Sequence, residues 1–356
     1  MPEPALLDPA RFGRTIDGQP VALYTLRNTR GMAAAITNHG ARIEQLLVPD
    51  RDGKLGDVVL GHDSIEQVLA GQASMGAFIG RFAGRIALGR FALDGQVHQL
   101  TRNDGPHHLH GGIKGSRFRV FEARQTSASS VEMTLVFADG EDGYPGTLSL
   151  RVRYHVTDDN ALVIDYAGVA ADQPTIANFT SHAFFNLSGR GDCTTLDHVL
   201  QIDADQYLDV DATAIPTGRI EDVAGTPLDF RRPTPIGARI DDTHELMKVG
   251  GYDHTLVLRA GDPGALQHAA TLHHPGSGRV MDVWSTEPAL QLYSGNHLQG
   301  IGKGGAAYGP RTGVCLEPQG YPDAPNHPHF PSTVLRPGQW RCGRIVYRFS
   351  SEPAPP

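Results

Sequence analysis

The stretch Leu316-Glu-Pro-Gln-Gly-Tyr-Pro-Asp-Ala-Pro-Asn-His-Pro-His-Phe-Pro-Ser-Thr333 holds the carboxylate whose surroundings are most suggestive of chemistry. Glu317 follows the apolar residues Val314 and Leu316, and a run of prolines and glycines follows it, too many for a helix or a central strand. A carboxylate at the end of a buried strand, fixed by a stiff loop, suits a general base. A structural Glu satisfied by backbone N–H groups would read the same way. A second titratable group, His182, stands in the apolar, strand-like run Asn178-Phe-Thr-Ser-His-Ala-Phe-Phe-Asn-Leu-Ser-Gly189. In extended chain Phe184 shares its face and Phe185 lies on the other. Imidazole titrates near neutrality, so His182 is a candidate general acid, or else a satisfied core histidine.

The other polar clusters suit hydroxyl binding. Gly80-Arg81-Phe-Ala-Gly84-Arg85 supplies two guanidinium forks. Arg81 is expected on the solvated surface, and Arg85 reads equally as a ligand contact or a surface residue. Asn103-Asp-Gly-Pro-His107-His108-Leu-His110-Gly-Gly112 has the His-x-His spacing of some metal sites. The next acidic residue is Glu122 and HExxH is absent, so His110 donating to a ligand hydroxyl is the better reading, with Gly111 and Gly112 permitting close approach. Asp253 in Gly251-Tyr-Asp-His254 either accepts ligand hydroxyls or caps a turn, and Gln291 and Tyr293 share one strand face. Gly302-Lys-Gly-Gly305 lacks the strand and helix a dinucleotide site needs, and neither GxSxG nor a P-loop occurs. Acid, base and hydroxyl binders remain. That set suits proton transfer on a polyhydroxylated ligand with no cofactor and no metal.

The elements that must hold these groups read as strands. Thr147–Val156 alternates, with Leu148, Leu150, Val152, Tyr154 and Val156 on one face, and Ala161–Val169 pairs with it across Thr157-Asp-Asp-Asn160. Alternation recurs in Arg90–Leu100 about an Asp94-Gly95 turn, in Val131–Phe137 and in Arg344–Phe349. Helices are few: Ile65–Leu69, capped by Asp63 or Ser64, and a stretch after Asp242 with Glu245 at capping-box spacing. Glycine (42) and proline (25) punctuate the chain throughout, which favours a sandwich or barrel. The expected fold is all-β, one domain over residues 1–350 with a frayed tail at 351–356.

Among 356 residues, 40% are apolar, enough for a large core. The net charge of −8, with Lys and Arg scattered, argues against nucleic acid or anionic membrane as a partner. Cys193, Cys315 and Cys342 form no CxxC pair. The first residues lack a basic n-region and an apolar h-region, and no apolar run reaches the ~18 residues a membrane span needs. A cytoplasmic location follows as an expectation.

Several segments together resemble the aldose 1-epimerases, or galactose mutarotases. In family order they are Gly80-Arg-Phe-Ala-Gly-Arg-Ile-Ala87, Leu109-His-Gly-Gly112, His182 before Phe184-Phe-Asn-Leu187, Tyr252-Asp-His254, Thr286-Glu-Pro288 with Gln291, and Leu316-Glu317 with Phe330-Pro-Ser332. The resemblance runs from about Gly18 to Phe349. It implies a large antiparallel β-sandwich, the galactose mutarotase-like supersandwich, and interconversion of the α and β anomers of a free aldohexose. It assigns Glu317 as general base and His182 as general acid, with Arg85, His110, Asp253 and Gln291 holding the sugar. No cofactor is implied, and a monomer or weak homodimer is expected.

A carboxylate beside an imidazole is expected to raise the histidine pKa and lower its own, giving a bell-shaped pH profile near neutrality. The chain departs from the family pattern at Gly84 and Ser181, where Asn is common, at Ser116–Phe121, and at Pro318, where Thr is frequent. Competing readings are a carbohydrate-binding protein without turnover, a glycosidase pairing Asp253 with Glu317, and a metallohydrolase on His108 and His110.

Overall fold

The computed structural model describes residues 4–353 except 72–73, 243–248, 260 and 263. Alternation in Leu148–Val156 is realised as a strand in which Leu148, Leu150, Val152, Tyr154 and Val156 are buried while Arg151 and Arg153 face water. Its antiparallel partner Ala161–Ala170 runs in register from Leu148 opposite Ala170 to Val156 opposite Leu162. Among the described residues these two belong to a nine-stranded sheet. Its order is Glu122–Ser127, Ser130–Phe137, Leu148–Val156, Ala161–Ala170, Trp340–Ser351, Arg279–Ser285, Gln267–His273, Val199–Ile202 and Thr234–Pro235.

A five-stranded sheet packs against it, in the order Pro216–Asp222, Ala204–Val210, Asp253–Leu258, Ala289–Tyr293 and Cys315–Gln319. A four-stranded meander, Leu23–Arg27, Ala33–Thr37, Arg42–Pro49 and Leu55–Asp57, covers part of the same core. One apolar cluster joins all three: Val152, Tyr154 and Ile164 from the first sheet, Leu256, Leu290, Leu292 and Leu316 from the second, Ile36, Ile43 and Leu46 from the third. Burying each such side chain is worth about 1.5–3 kcal/mol, which fixes strand register, since a one-residue slip would turn every one outward. The fold is a large antiparallel β-sandwich, as expected.

Local expectations hold at the Asp94-Gly95 hairpin, where both residues adopt positive φ (49° and 79°) and Leu93 pairs with Gln96. They hold also at helix Ile65–Ala70, whose cap is Ser64, with Oγ accepting from Gln67 N–H. The helix anticipated after Asp242 lies outside the described residues. The last strand runs through Ser351, and Glu352 N–H donates to Gly278 O at 2.8 Å.

Two readings need correction. Arg81 is not a surface residue. It is 1% exposed and donates to Pro145 O, Gly146 O and Thr175 Oγ1 at 2.7, 2.5 and 2.6 Å, over the Tyr144 ring. Distant segments bring those acceptors, so residue type alone did not reveal them. Glu317 does not end its strand, which continues through Pro318 to Gln319. Pro318 is tolerated because this strand is the edge of its sheet, where a missing N–H leaves no ladder bond unmade. No helix among the described residues is long and apolar enough to cross a membrane.

Candidate functional site

Three neighbouring strands of the five-stranded sheet make the floor of the site. Their even-numbered residues Leu256, Leu290, Leu292 and Leu316 enter the core. By the two-residue period, Asp253, Thr255, Gln291, Tyr293, Glu317 and Gln319 take the opposite face. Register lines them up: Thr255, Gln291 and Glu317 form one cross-strand row. All six line a cleft of about 700 Å³, within the range of small-molecule sites.

His182 reaches this cleft from another layer. Strand Thr180–Ser181 pairs with Phe78–Ile79, His182 N–H donates to Ala77 O at 2.8 Å, and His182 O accepts from Gly76 N–H at 2.9 Å. Phe185 and Val314 exchange both backbone hydrogen bonds, at 2.8 and 3.0 Å, tying the His182 segment to the start of the Glu317 strand. Phe184 lies beside the imidazole, with ring centroids 5.1 Å apart, while Phe185 turns to Tyr347 at 4.8 Å. The Nε2 of His182 then lies 3.7 Å from Oε1 of Glu317, and Nδ1 faces the Cys315 thiol at 3.5 Å. Glu317 is 2% exposed, and its Oε2 has no hydrogen-bond partner among the described residues.

Burial governs the electrostatics of this pair. Desolvation, with Arg117 and Arg42 adding to it, pushes His182 down to about 3. Desolvation, reinforced by the Asp253 charge, pushes Glu317 well above the usual carboxylate range. The expectation that mutual attraction would raise the histidine and lower the carboxyl is therefore reversed. At 3.7 Å, without a hydrogen bond, attraction does not repay removing both charges from water. Both shifts favour the uncharged forms, so in the dry cleft a carboxylic acid beside a neutral imidazole is favoured.

Arg85 enters from a short strand paired with His108–Leu109, opposite Leu109, and His110 from the turn that follows that partner. Arg85 Nε donates to Asp104 Oδ2 at 2.7 Å, and NH1 lies 3.6 Å from Asp253 Oδ2. Burial alone would lower the guanidinium pKa, but the two carboxylates outweigh it and raise it. His110 has positive φ (53°), as do Gly111 and Gly112. At Gly111 a Cβ would sit 2.3 Å from Gly80 O, so the turn requires glycine. His110 Nδ1 accepts from Gly84 N–H at 3.2 Å, which leaves Nε2 as the protonated nitrogen, and burial pushes the ring well below the ordinary histidine value. A neutral donor results. Gly84 itself has φ of +79° and a Cβ there would meet Pro322 at 2.9 Å, so the proline ring fills the space a side chain would take.

Asp253 Oδ1 accepts from Gln291 Nε2 at 2.6 Å, and Thr255 Oγ1 donates to Gln291 Oε1. All six residues singled out by resemblance thus line one cleft. Sequence reasoning missed Asp104, Thr255, Arg117 and Gln319, which line it too. For Thr255 and Gln319 a signal existed, since each stands two residues beyond a recognised site residue on the same strand face.

The remaining candidates are structural. Both His108 nitrogens are engaged, Nδ1 by Thr101 O at 2.7 Å and Nε2 by Tyr144 Oη at 2.7 Å, so the His108–His110 metal reading has no free donor at His108. Glu287 sits away from the cleft, accepting from Tyr166 Oη and Arg341. Among the described residues, metal-type donors converge at His182, Cys315 and Glu317 and at Asp197, His198 and His274. In the second group His198 Nε2 accepts from Leu187 N–H and His274 Nδ1 from Ser277 N–H. The first group is the His182–Glu317 pair with its thiol neighbour.

Comparison with known proteins finds relatives over most of the chain. The family model for aldose 1-epimerase matches residues 22–348. The chain is 44% identical to the galactose mutarotase of Bos taurus over 317 residues, 88% of this chain and 90% of the relative. It is 38% identical to the aldose 1-epimerase of Escherichia coli over 339 residues, 94% and 97% of the two chains. Among solved structures, an aldose epimerase homologue from C. elegans superposes with a TM-score of 0.87 at 34% identity, covering 93% of this chain and 99% of the other.

Proposed function

The chain belongs to the aldose 1-epimerase family and is a mutarotase; from that premise we propose that Glu317 and His182 are the base and acid that interconvert the α and β anomers of a free aldohexose such as glucose or galactose. The supporting observation is the buried pair itself: Glu317 Oε1 facing His182 Nε2 at 3.7 Å, beside an Oε2 with no partner among the described residues. In ring opening Glu317 removes the anomeric hydroxyl proton while His182 protonates the ring oxygen. Rotation about C1–C2 presents the other aldehyde face, and reclosure reverses both transfers.

The pKa directions suit these steps. A carboxylate pushed up is a stronger base, and an imidazolium pushed down is a stronger acid. The transfers begin from the ion-pair tautomer that burial disfavours and end with the proton on the carboxyl and a neutral imidazole, so the cost of forming that tautomer is released as the ring opens. General acid–base assistance typically supplies 10²–10⁴-fold, roughly 3–5 kcal/mol, per group. Arg85, His110, Asp253 and Gln291 hold the ring hydroxyls so that both transfers meet one geometry.

The rival readings fare less well on particular atoms. A glycosidase acid at Asp253 would need a free carboxyl, yet Gln291 and Arg85 face its two oxygens. A module that only binds sugar gains nothing from burying an unpartnered carboxylate beside an imidazole. The three cysteines are unpaired, as a reducing cytoplasm would keep them, and we place the enzyme there as a monomer or weak homodimer. Polarimetry on freshly dissolved α-D-glucose and α-D-galactose tests the activity: the pure protein accelerates the approach to equilibrium rotation, and an unchanged rate refutes the reading.

A further inference from the structure

Resting on the mutarotase reading, we propose that Thr255 is a positioning residue that locks the amide of Gln291 and so sets sugar affinity. Thr255 is 3% exposed and lines the cleft two residues beyond Asp253, directly opposite Gln291 across the ladder. Its hydroxyl donates to Gln291 Oε1, and Gln291 Nε2 donates to Asp253 Oδ1 at 2.6 Å. The chain continues through Asp253 Oδ2, 3.6 Å from Arg85 NH1, and Arg85 Nε to Asp104 Oδ2 at 2.7 Å.

The order of this chain follows from donor chemistry. An ionised carboxylate only accepts, so the amide must turn its nitrogen to Asp253. Its oxygen then faces Thr255, whose hydroxyl supplies the matching proton. Without that hydroxyl the oxygen loses its donor, and the amide is held only by its one bond to Asp253. Locked, Gln291 spends one N–H on Asp253 and keeps the second for an acceptor in the cleft. Asp253 is held at the same time against Arg85, so two sugar-binding groups share one lock. Among the described residues no hydrogen bond joins Thr255 to Glu317 or His182, which separates affinity from proton transfer.

Steady-state kinetics by polarimetry on a sugar such as D-galactose, alongside thermal melting, tests this. Thr255→Val keeps the branched shape and removes the hydroxyl. It should raise KM roughly 5–20-fold, with kcat changed far less, because interactions common to bound sugar and transition state are lost. Thr255→Ser restores the hydroxyl without the methyl and should recover most of the affinity even where its melting temperature falls. If the valine variant does not fold, Thr255→Ala carries the same comparison against serine. A valine or alanine variant with the parental KM overturns the inference, as does a serine variant no better than valine. An inactive parent protein would instead refute the mutarotase reading, so the two failures are distinct.

Discussion

Nε2 of His182 lies 3.7 Å from Oε1 of Glu317 although the two side chains arrive from different layers, joined by the paired backbone bonds of Phe185 and Val314. That junction makes the site a property of the fold. The backbone on both sides is clamped, so in the proposed mechanism the two side chains need not search for each other when sugar enters.

The pair's protonation sets a pH-dependence unlike that of a free imidazole. The working form holds one proton. Acid adds a second only as pH falls toward the depressed His182 value of about 3, and alkali removes the first only above the raised Glu317 value. The acid limb of kcat/KM should therefore lie well below 6.5. An acid limb centred on 6.5 would show that His182 titrates as an ordinary histidine.

The Asp253 charge helps hold the Glu317 proton, so in the proposed mechanism it contributes to the alkaline limb. Asp253→Asn removes that charge and should move the alkaline limb to lower pH. It should also raise KM by roughly tenfold, since Arg85 and Gln291 lose their shared acceptor. An unmoved alkaline limb would detach Asp253 from the base.

Acid should destabilise the fold through buried histidines. Burial depresses His39, His108 and His198 to about 4 and His182 to about 3. The unfolded chain takes up protons at about 6.5, so the stability these neutral rings contribute is fully present above that pH and is lost as pH falls through it. Each contributes up to about 1.4 kcal/mol per pH unit between the two values. Melting temperature should fall steeply from pH 6.5 to 4.5. A flat profile there would contradict the burial of these groups as neutral rings.

Arg81 offers a test of structure apart from catalysis. Arg81→Met leaves Pro145 O, Gly146 O and Thr175 Oγ1 without their donor and should cost about 2–4 kcal/mol, read as a shifted urea midpoint. A midpoint within error of the parent would restore the surface reading.

The architecture was legible where one side chain decides one face. Leu148 to Val156 declared a half-buried strand, and Asp94-Gly95 declared its turn, because alternation and positive φ are local properties. Glu317, His182, Arg85, His110, Asp253 and Gln291 were singled out through motif resemblance, with spacing alone leaving each one ambiguous. Arg81 was misplaced because its carbonyl partners come from other segments. The pKa directions were reversed because desolvation against attraction is a contest settled by distance and depth. Thr255 was overlooked although it follows Asp253 by one strand period, since threonine is so ordinary in strands.

The central claim is that Glu317 and His182 transfer the two protons. Polarimetry on freshly dissolved α-D-galactose with Glu317→Gln and with His182→Asn, each checked for a native melting transition, addresses it most directly. Turnover should drop by about two orders of magnitude or more in each, with the fold retained. A folded variant of either kind that turns over at close to the parental rate would contradict the account.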